Sequence, residues 1–82
     1  MGAVTPCTYT SHARDQMRRR KVTADGVEYV LANYDVHRPA QPRVNVKPAE
    51  IYIGTYAGRR LKVYVEIGTV PPKVKTVAWT DE

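Results

Sequence analysis

The sequence predicts a small α+β domain in which two N-terminal amphipathic helices pack on an antiparallel sheet of three or four strands. Residues 60–67 alternate without a break, Leu61, Val63, Val65 and Ile67 against Arg60, Lys62, Tyr64 and Glu66, which is the period of a strand with one buried face. Two earlier stretches, 12–20 and 24–33, each follow a hydroxyl residue and carry apolar residues at helical spacing. A chain of 82 residues supports one core and hence one domain, 1–82, burying about 60% of its unfolded surface.

The first six residues show no periodicity and read as a frayed end or short edge segment leading through Cys7, Thr8 and Tyr9. Ser11, or Thr10 in its place, supplies the N-cap of the first helix, since its hydroxyl can accept an otherwise unpaired backbone N–H. Ala13, Met17 and the stem of Arg20 form a narrow stripe on it, with His12, Asp15 and Arg19 alongside as a polar stripe. Thr23 caps the second helix, whose Val27, Val30 and Leu31 make the apolar face and whose Asn33 suits the stop. Together they read as an αα-hairpin. Gly26 costs a helix about 1 kcal/mol relative to Ala, which close packing against a neighbour would explain.

Pro39, Pro42 and Pro48 exclude a central strand from 34–48, leaving an edge strand and a long loop. Residues 50–56 read as a strand with Ile51, Ile53 and Thr55 on one face and Tyr52, Gly54 and Tyr56 on the other. A turn through Ala57, Gly58 and Arg59 then leads into the alternating strand. Beyond a loop through Gly68, Pro71 and Pro72, residues 73–80 give a last strand with Val74, Thr76 and Ala78 opposite Lys75, Val77 and Trp79.

Thirteen Lys and Arg against eight Asp and Glu give a net charge of +5, a field that favours RNA or DNA over a membrane as partner. An apolar fraction of 43% with no Phe makes a thin core that a homodimer or a partner protein would complete. No run approaches the roughly 20 apolar residues of a spanning helix, and the polar start lacks a signal-peptide core, which points to the cytoplasm. Cys7 is the single cysteine, which excludes an intrachain disulfide and multi-cysteine zinc sites. His12 and His37 are too far apart in sequence for a metal motif, and there is no glycine-rich phosphate loop, so neither metal nor other cofactor is expected.

On the wet face of the alternating strand, Arg60 and Lys62 can hold phosphates. Tyr52 and Tyr56, expected beside them across the hairpin, can stack on unpaired bases, with Lys75 on the far side. The plain alternative is an ordinary solvated strand face. Cleaving RNA by its own 2′-hydroxyl needs a proton acceptor, a proton donor and cations around the phosphate. Glu66, His12, His37 or a tyrosine such as Tyr64 can fill the proton roles, and Arg60 and Lys62 the third. His12 stands near a helix N-terminus, whose dipole favours a neutral ring able to take a proton, or it simply packs at the helix–sheet junction. Arg20 can reach Glu50, Glu66 or a bound phosphate.

The run His12-Ala13-Arg14-Asp15-Gln16-Met17-Arg18-Arg19-Arg20-Lys21-Val22-Thr23 resembles the opening of a bacterial domain-of-unknown-function family, approximately His-Ala-x-x-Arg-Met-x-x-Arg-x-Ile-Ser. Val27, Val30 and Leu31 match its second helix, Gly58 to Val63 its Gly-Arg-x-Leu-x-Val strand, and Thr76-Val77 its closing element. The signature's first arginine is Gln16 here. This family is similar in fold to the RelE/ParE and BrnT toxins, many of which cleave messenger RNA on the ribosome, whereas ParE-like members target DNA gyrase. The resemblance therefore implies a type II toxin-like protein that engages RNA or the ribosome, is a metal-independent endoribonuclease in its fullest form, and is silenced by an acidic antitoxin. A non-catalytic interaction module on the same fold and a gyrase-directed inhibitor stay open beside it. Gln16 and the plain Trp79-Thr80-Asp81-Glu82 ending, without the basic or aromatic tail of several RelE-type nucleases, favour the non-catalytic module.

Overall fold

The computed structural model describes residues 7–41 and 47–80. The expected frayed end at 1–6, the middle of the proline-punctuated loop at 42–46 and the terminal pair 81–82 lie outside the described residues.

The elements run β1 (Thr8–Tyr9), α1 (Ser11–Arg20), α2 (Ala24–Asn33), β2 (Val36–Pro39), β3 (Ala49–Tyr56), β4 (Arg59–Glu66) and β5 (Lys73–Trp79). Among the described residues they form one five-stranded sheet in the order β1-β5-β4-β3-β2. The expected three or four antiparallel strands are thus corrected to five in a mixed sheet, because β1 adds to β5 in parallel. The helices lie between β1 and β2 rather than at the start of the fold.

Hydroxyl caps define both helix starts. Thr10, not Ser11, caps α1, its Oγ1 accepting the Ala13 N–H at 3.0 Å, and Thr23 caps α2 through the Gly26 N–H at 3.1 Å. Lys21 ends α1 in the left-handed conformation at φ 56°, and the Val22 N–H returns to the Met17 carbonyl at 2.8 Å while Val22 itself enters the core. Gly26 earns its place by sitting against the Tyr56 ring, which an added Cβ would meet at 3.0 Å.

The two helices do not form a packed αα-hairpin; α1 leans on β5 and α2 on β3 and β4. Between them and the sheet lies the core, with Ala13, Val27 and Val30 meeting Leu61, Val63 and Val65 of β4 and Val74, Val77 and Trp79 of β5. The inward set on β5 differs from the even alternation read from sequence. Tyr64 pairs with Thr76 and Val65 with Val74, so Lys75 is an extra residue in a β-bulge, and the phase changes across it. Val74, Val77 and Trp79 can then all face inward. The strand alternates correctly on each side of the bulge but not through it.

Helix α1 also closes the sheet edge. The outer edge of β5 is paired by β1 only at Lys73 and Val74. Farther along, the Thr10 hydroxyl donates to the Lys75 carbonyl at 3.1 Å and the Arg20 guanidinium to the Val77 carbonyl at 3.3 Å. In return the Trp79 indole N–H donates to the Arg20 carbonyl at 2.7 Å, and Arg59 stacks on the indole at 4.1 Å. Side chains and a helix thereby occupy positions that would otherwise template another strand.

Candidate functional site

The position of α1 at the sheet edge sets the geometry of the opposite, helix-free face. His12, Gln16 and Arg20 recur every fourth residue and so share one stripe of α1. While Ala13 and Met17 turn inward to the core, that stripe forms one wall of a groove of about 990 Å3. Arg38 and Lys47 stand on the other wall, and Ile51, Tyr64, Thr76 and Ala78 are part of its lining between them. The Lys75 ammonium donates to the Lys47 carbonyl at 3.1 Å, which holds it beside the wall. The groove lining therefore carries Arg20, Arg38, Lys47 and Lys75 and, among the described residues, no carboxylate.

Several expected site residues meet here and others do not. His12, Arg20, Tyr64 and Lys75 all line the groove. Lys62 shares the face, between Ile53 and Ala78 in the strand register, one step beyond the groove. Arg60 lies farther along, where its guanidinium donates to Asp35 Oδ2 at 2.7 Å and to Thr55 Oγ1 at 3.3 Å. That hydrogen bond holds the Asp35 carboxyl below its ordinary range and raises Arg60 in turn. Arg60 is thus engaged with Asp35 and Thr55 outside the groove lining. Arg20 does not pair with Glu50 or Glu66; its carbonyl bond places it in the edge closure instead.

Tyr52 and Tyr56 are on the wrong side for the expected surface. The β3–β4 turn has two residues, Ala57 at φ 53° and Gly58 at φ 80°, so Tyr56 pairs with Arg59 and Tyr52 with Val63. The three-residue turn read from sequence would have put Tyr56 opposite Arg60. One residue of turn length flips the whole strand, sending Tyr52 and Tyr56 to the helix side and Ile51 and Ile53 to the open face. Glu66, at the end of β4 opposite Ala49, shares the open face with Tyr64 and Lys62 by register, but it is not among the groove lining and instead borders a second pocket. His12 and Tyr64 therefore line a groove that Glu66 adjoins without lining.

Sequence reasoning missed Arg38 and Lys47 as groove residues. Their signal was only that two cations flank the prolines of an edge strand. It also gave His37 no partner. In the structure the His37 ring stacks on Tyr52 with centroids 4.5 Å apart and an 8° interplanar angle, and its Nε2 is 3.1 Å from Glu50 Oε1. The Tyr52 hydroxyl donates to Glu50 Oε2 at 3.1 Å; burial first and that bond second raise its pKa. No group of three or more His, Cys, Asp or Glu suited to a metal occurs among the described residues, and none of their helices is long and apolar enough to cross a membrane.

The sequence profile of a family described as Domain of unknown function (DUF4258) matches residues 9–79, which takes in every element from the second residue of β1 to the end of β5. No curated protein and no solved structure matches the chain.

Proposed function

The chain belongs to the DUF4258 family, and from that premise we propose that it is a toxin-like protein whose helix-free face engages single-stranded RNA. The observation that carries this reading is the groove between α1 and the β2 side, with four cations and no carboxylate among its described lining residues. Phosphates gain from such a one-signed, concave surface through field focusing and counterion release. Tyr64, half-buried in the lining, offers a ring on which an unpaired base can stack.

In the catalytic form of this reading His12 accepts the proton of a ribose 2′-hydroxyl. That oxygen attacks the adjacent phosphorus, the bond to the 5′-oxygen breaks, and the products are a 2′,3′-cyclic phosphate and a 5′-hydroxyl that takes its proton from Tyr64 or water. Arg20, Arg38 and Lys75 stabilise the charge that develops on the phosphate. A second reading, binding without cleavage, is favoured by two observations. Glu66 lies outside the groove, and the neutral Gln16 stands between His12 and Arg20 on the wall.

The test pairs binding with chemistry. Fluorescence anisotropy of a labelled single-stranded RNA should show affinity that falls with salt, at about 0.7 in log–log slope per phosphate contact, and a shallower slope in Arg38→Ala/Lys75→Ala. Messenger-RNA ends are then mapped in a cell-free translation reaction with wild-type protein and with His12→Ala. New ends that vanish in His12→Ala support the nuclease. Binding with intact RNA supports the non-catalytic reading, and the absence of salt-dependent RNA binding rejects both.

A further inference from the structure

At the outer edge of the sheet, β2 carries a ring stack with one face left open. His37 stands opposite Tyr52 in the strand register and lies flat on it, with centroids 4.5 Å apart and an interplanar angle of 8°. That separation is close to the roughly 4.8 Å between neighbouring strands. The stack therefore runs across the strands, and its next position lies beyond β2, the last strand in the sheet order. Tyr34 does not fill that position. Its ring meets both others edge-on and is nearer Tyr52, at 4.9 Å, than His37, at 5.6 Å, which places it beside the stack. Glu50 Oε1 sits 3.1 Å from Nε2 at the edge of the imidazole, and the His37 side chain stays 38% exposed. Three neighbours fix the orientation of the ring and leave its outer face to solvent.

The backbone of the same edge is poorly suited to a partner strand. The Ala40 N–H turns inward to the Ala49 carbonyl at 2.9 Å, so by alternation the outward-facing positions of β2 are His37 and Pro39. Pro39 has no N–H, which leaves His37 as the single outward donor of β2. This edge offers a flat ring with an open face rather than a row of backbone groups. Arg38, the next residue, emerges on the other face of the sheet opposite Ile51, where it stands on the groove wall with Lys47. Cationic groove and stacking face thus meet at one edge, on consecutive residues.

We propose that His37 is a stacking platform for an unpaired nucleobase of the RNA strand whose phosphates lie in the groove, so that the strand leaves the groove over β2. This rests on the groove reading above and extends it from a phosphate-binding surface to a path with a defined exit. Phosphates held by Arg38 and Lys47 put the following base at the sheet edge. Stacking there on a ring already fixed by Tyr52, Tyr34 and Glu50 costs little side-chain freedom. Every base has a π-face, so the platform adds affinity without reading sequence.

The probes are a short oligoadenylate and a ribose-phosphate oligomer of equal length without bases, titrated into the full chain and followed by anisotropy and by NMR of the His37 ring protons. Oligoadenylate should move the His37 Hδ2 and Hε1 resonances upfield, and the abasic oligomer should not. His37→Ala should weaken oligoadenylate at least about fivefold, leave the abasic oligomer unchanged and keep the salt dependence of both, while His37→Phe should restore the affinity. Salt-dependent binding with unmoved His37 ring protons, or unchanged oligoadenylate affinity in a folded His37→Ala variant, overturns the platform and leaves the groove reading standing. Absence of salt-dependent binding by either oligomer overturns both. Ring shifts produced instead by the extended peptide acetyl-Val-Tyr-Val-amide assign the edge to a partner strand and likewise overturn the platform.

Discussion

The two faces of the sheet remove nearly the same kind of residue from water by different means. On the helix side Leu61, Val63, Val74 and Val77 are fully buried beneath α1 and α2, and no polar residue is buried among the described residues. On the open face Ile51 and Ile53 are also buried, at 7% and 8% exposure, yet no helix lies over them. Their register partners are Arg38 and Tyr64 for Ile51, and Val36 and Lys62 for Ile53. Long stems with charged or polar ends cover them while the ends stay wet. Equal burial therefore does not mean equal permanence: one cover is secondary structure, the other is side chains that a ligand can push aside.

The largest expected effect contrasts two adjacent residues of β5. Val77 faces the core and Ala78 the groove. Val77→Asp places a carboxylate in an apolar interior with no partner, a cost of at least about 4 kcal/mol and comparable to the whole stability of a domain this size. Ala78→Asp should leave the thermal transition within a few degrees of wild type and weaken RNA binding by placing an anion in the cationic groove. Circular-dichroism melts and RNA anisotropy read the two outcomes; a folded Val77→Asp would show that the β5 phase assigned by the bulge is wrong.

A smaller contrast compares truncations on the two faces. Leu61→Ala leaves a cavity under fixed helices and should cost about 3 kcal/mol. Ile53→Ala should cost only about 1 kcal/mol, since the stems beside it can settle into the space. Urea titrations with equal m-values would measure both. Equal costs would mean that the open face is packed as rigidly as the core.

How far the sequence disclosed this arrangement depends on whether a signal was local. Thr23 and the Val27, Val30 and Leu31 spacing located α2, and the alternation of Leu61, Val63 and Val65 located β4 and its inward face, because each pattern is complete within a few residues. Two features were hidden because a single residue controls them. From sequence Arg59 reads as part of the turn, and that one-residue difference in turn length moves Tyr52 and Tyr56 to the other face. Lys75 adds a residue to β5, and no composition signal marks a bulge formed by lysine. For the candidate site, His12, Arg20 and Lys75 are each legible as candidates, but the sequence separates His12 from Arg20, whose stem it puts on the core stripe with Ala13 and Met17; that the two share the groove wall, and converge with Arg38 and Lys47, depends on α1 closing the sheet edge. That closure uses backbone carbonyls of β5, which leave no trace in a side-chain pattern.

The smallest effect separates the faces by pH. Tyr9 packs against the core with its hydroxyl buried and without a hydrogen-bond partner among the described residues. Burial, then the neighbouring Cys7 and Glu28, push its pKa from an ordinary 10.0 up to about 12. A raised folded value means the folded state favours the neutral phenol. That contribution is complete below pH 10 and is lost as pH rises toward 12. Tyr9→Phe should raise stability at neutral pH by about 1 kcal/mol, because it removes an unpaired buried hydroxyl, and should flatten part of the alkaline decline. On the open face the sign reverses: the Arg60 hydrogen bond lowers the Asp35 pKa, so its contribution is present above the ordinary 3.8 and is lost as pH falls through the lower folded value. Asp35→Asn should flatten part of the acid decline. Because the Asp35–Arg60 pair is exposed, its share should fade in high salt while the burial-driven share of Tyr9 persists. Stability curves from acid to alkali at low and high salt compare the two; an acid limb insensitive to salt would mean that the open face holds its charges as tightly as the covered face holds its core.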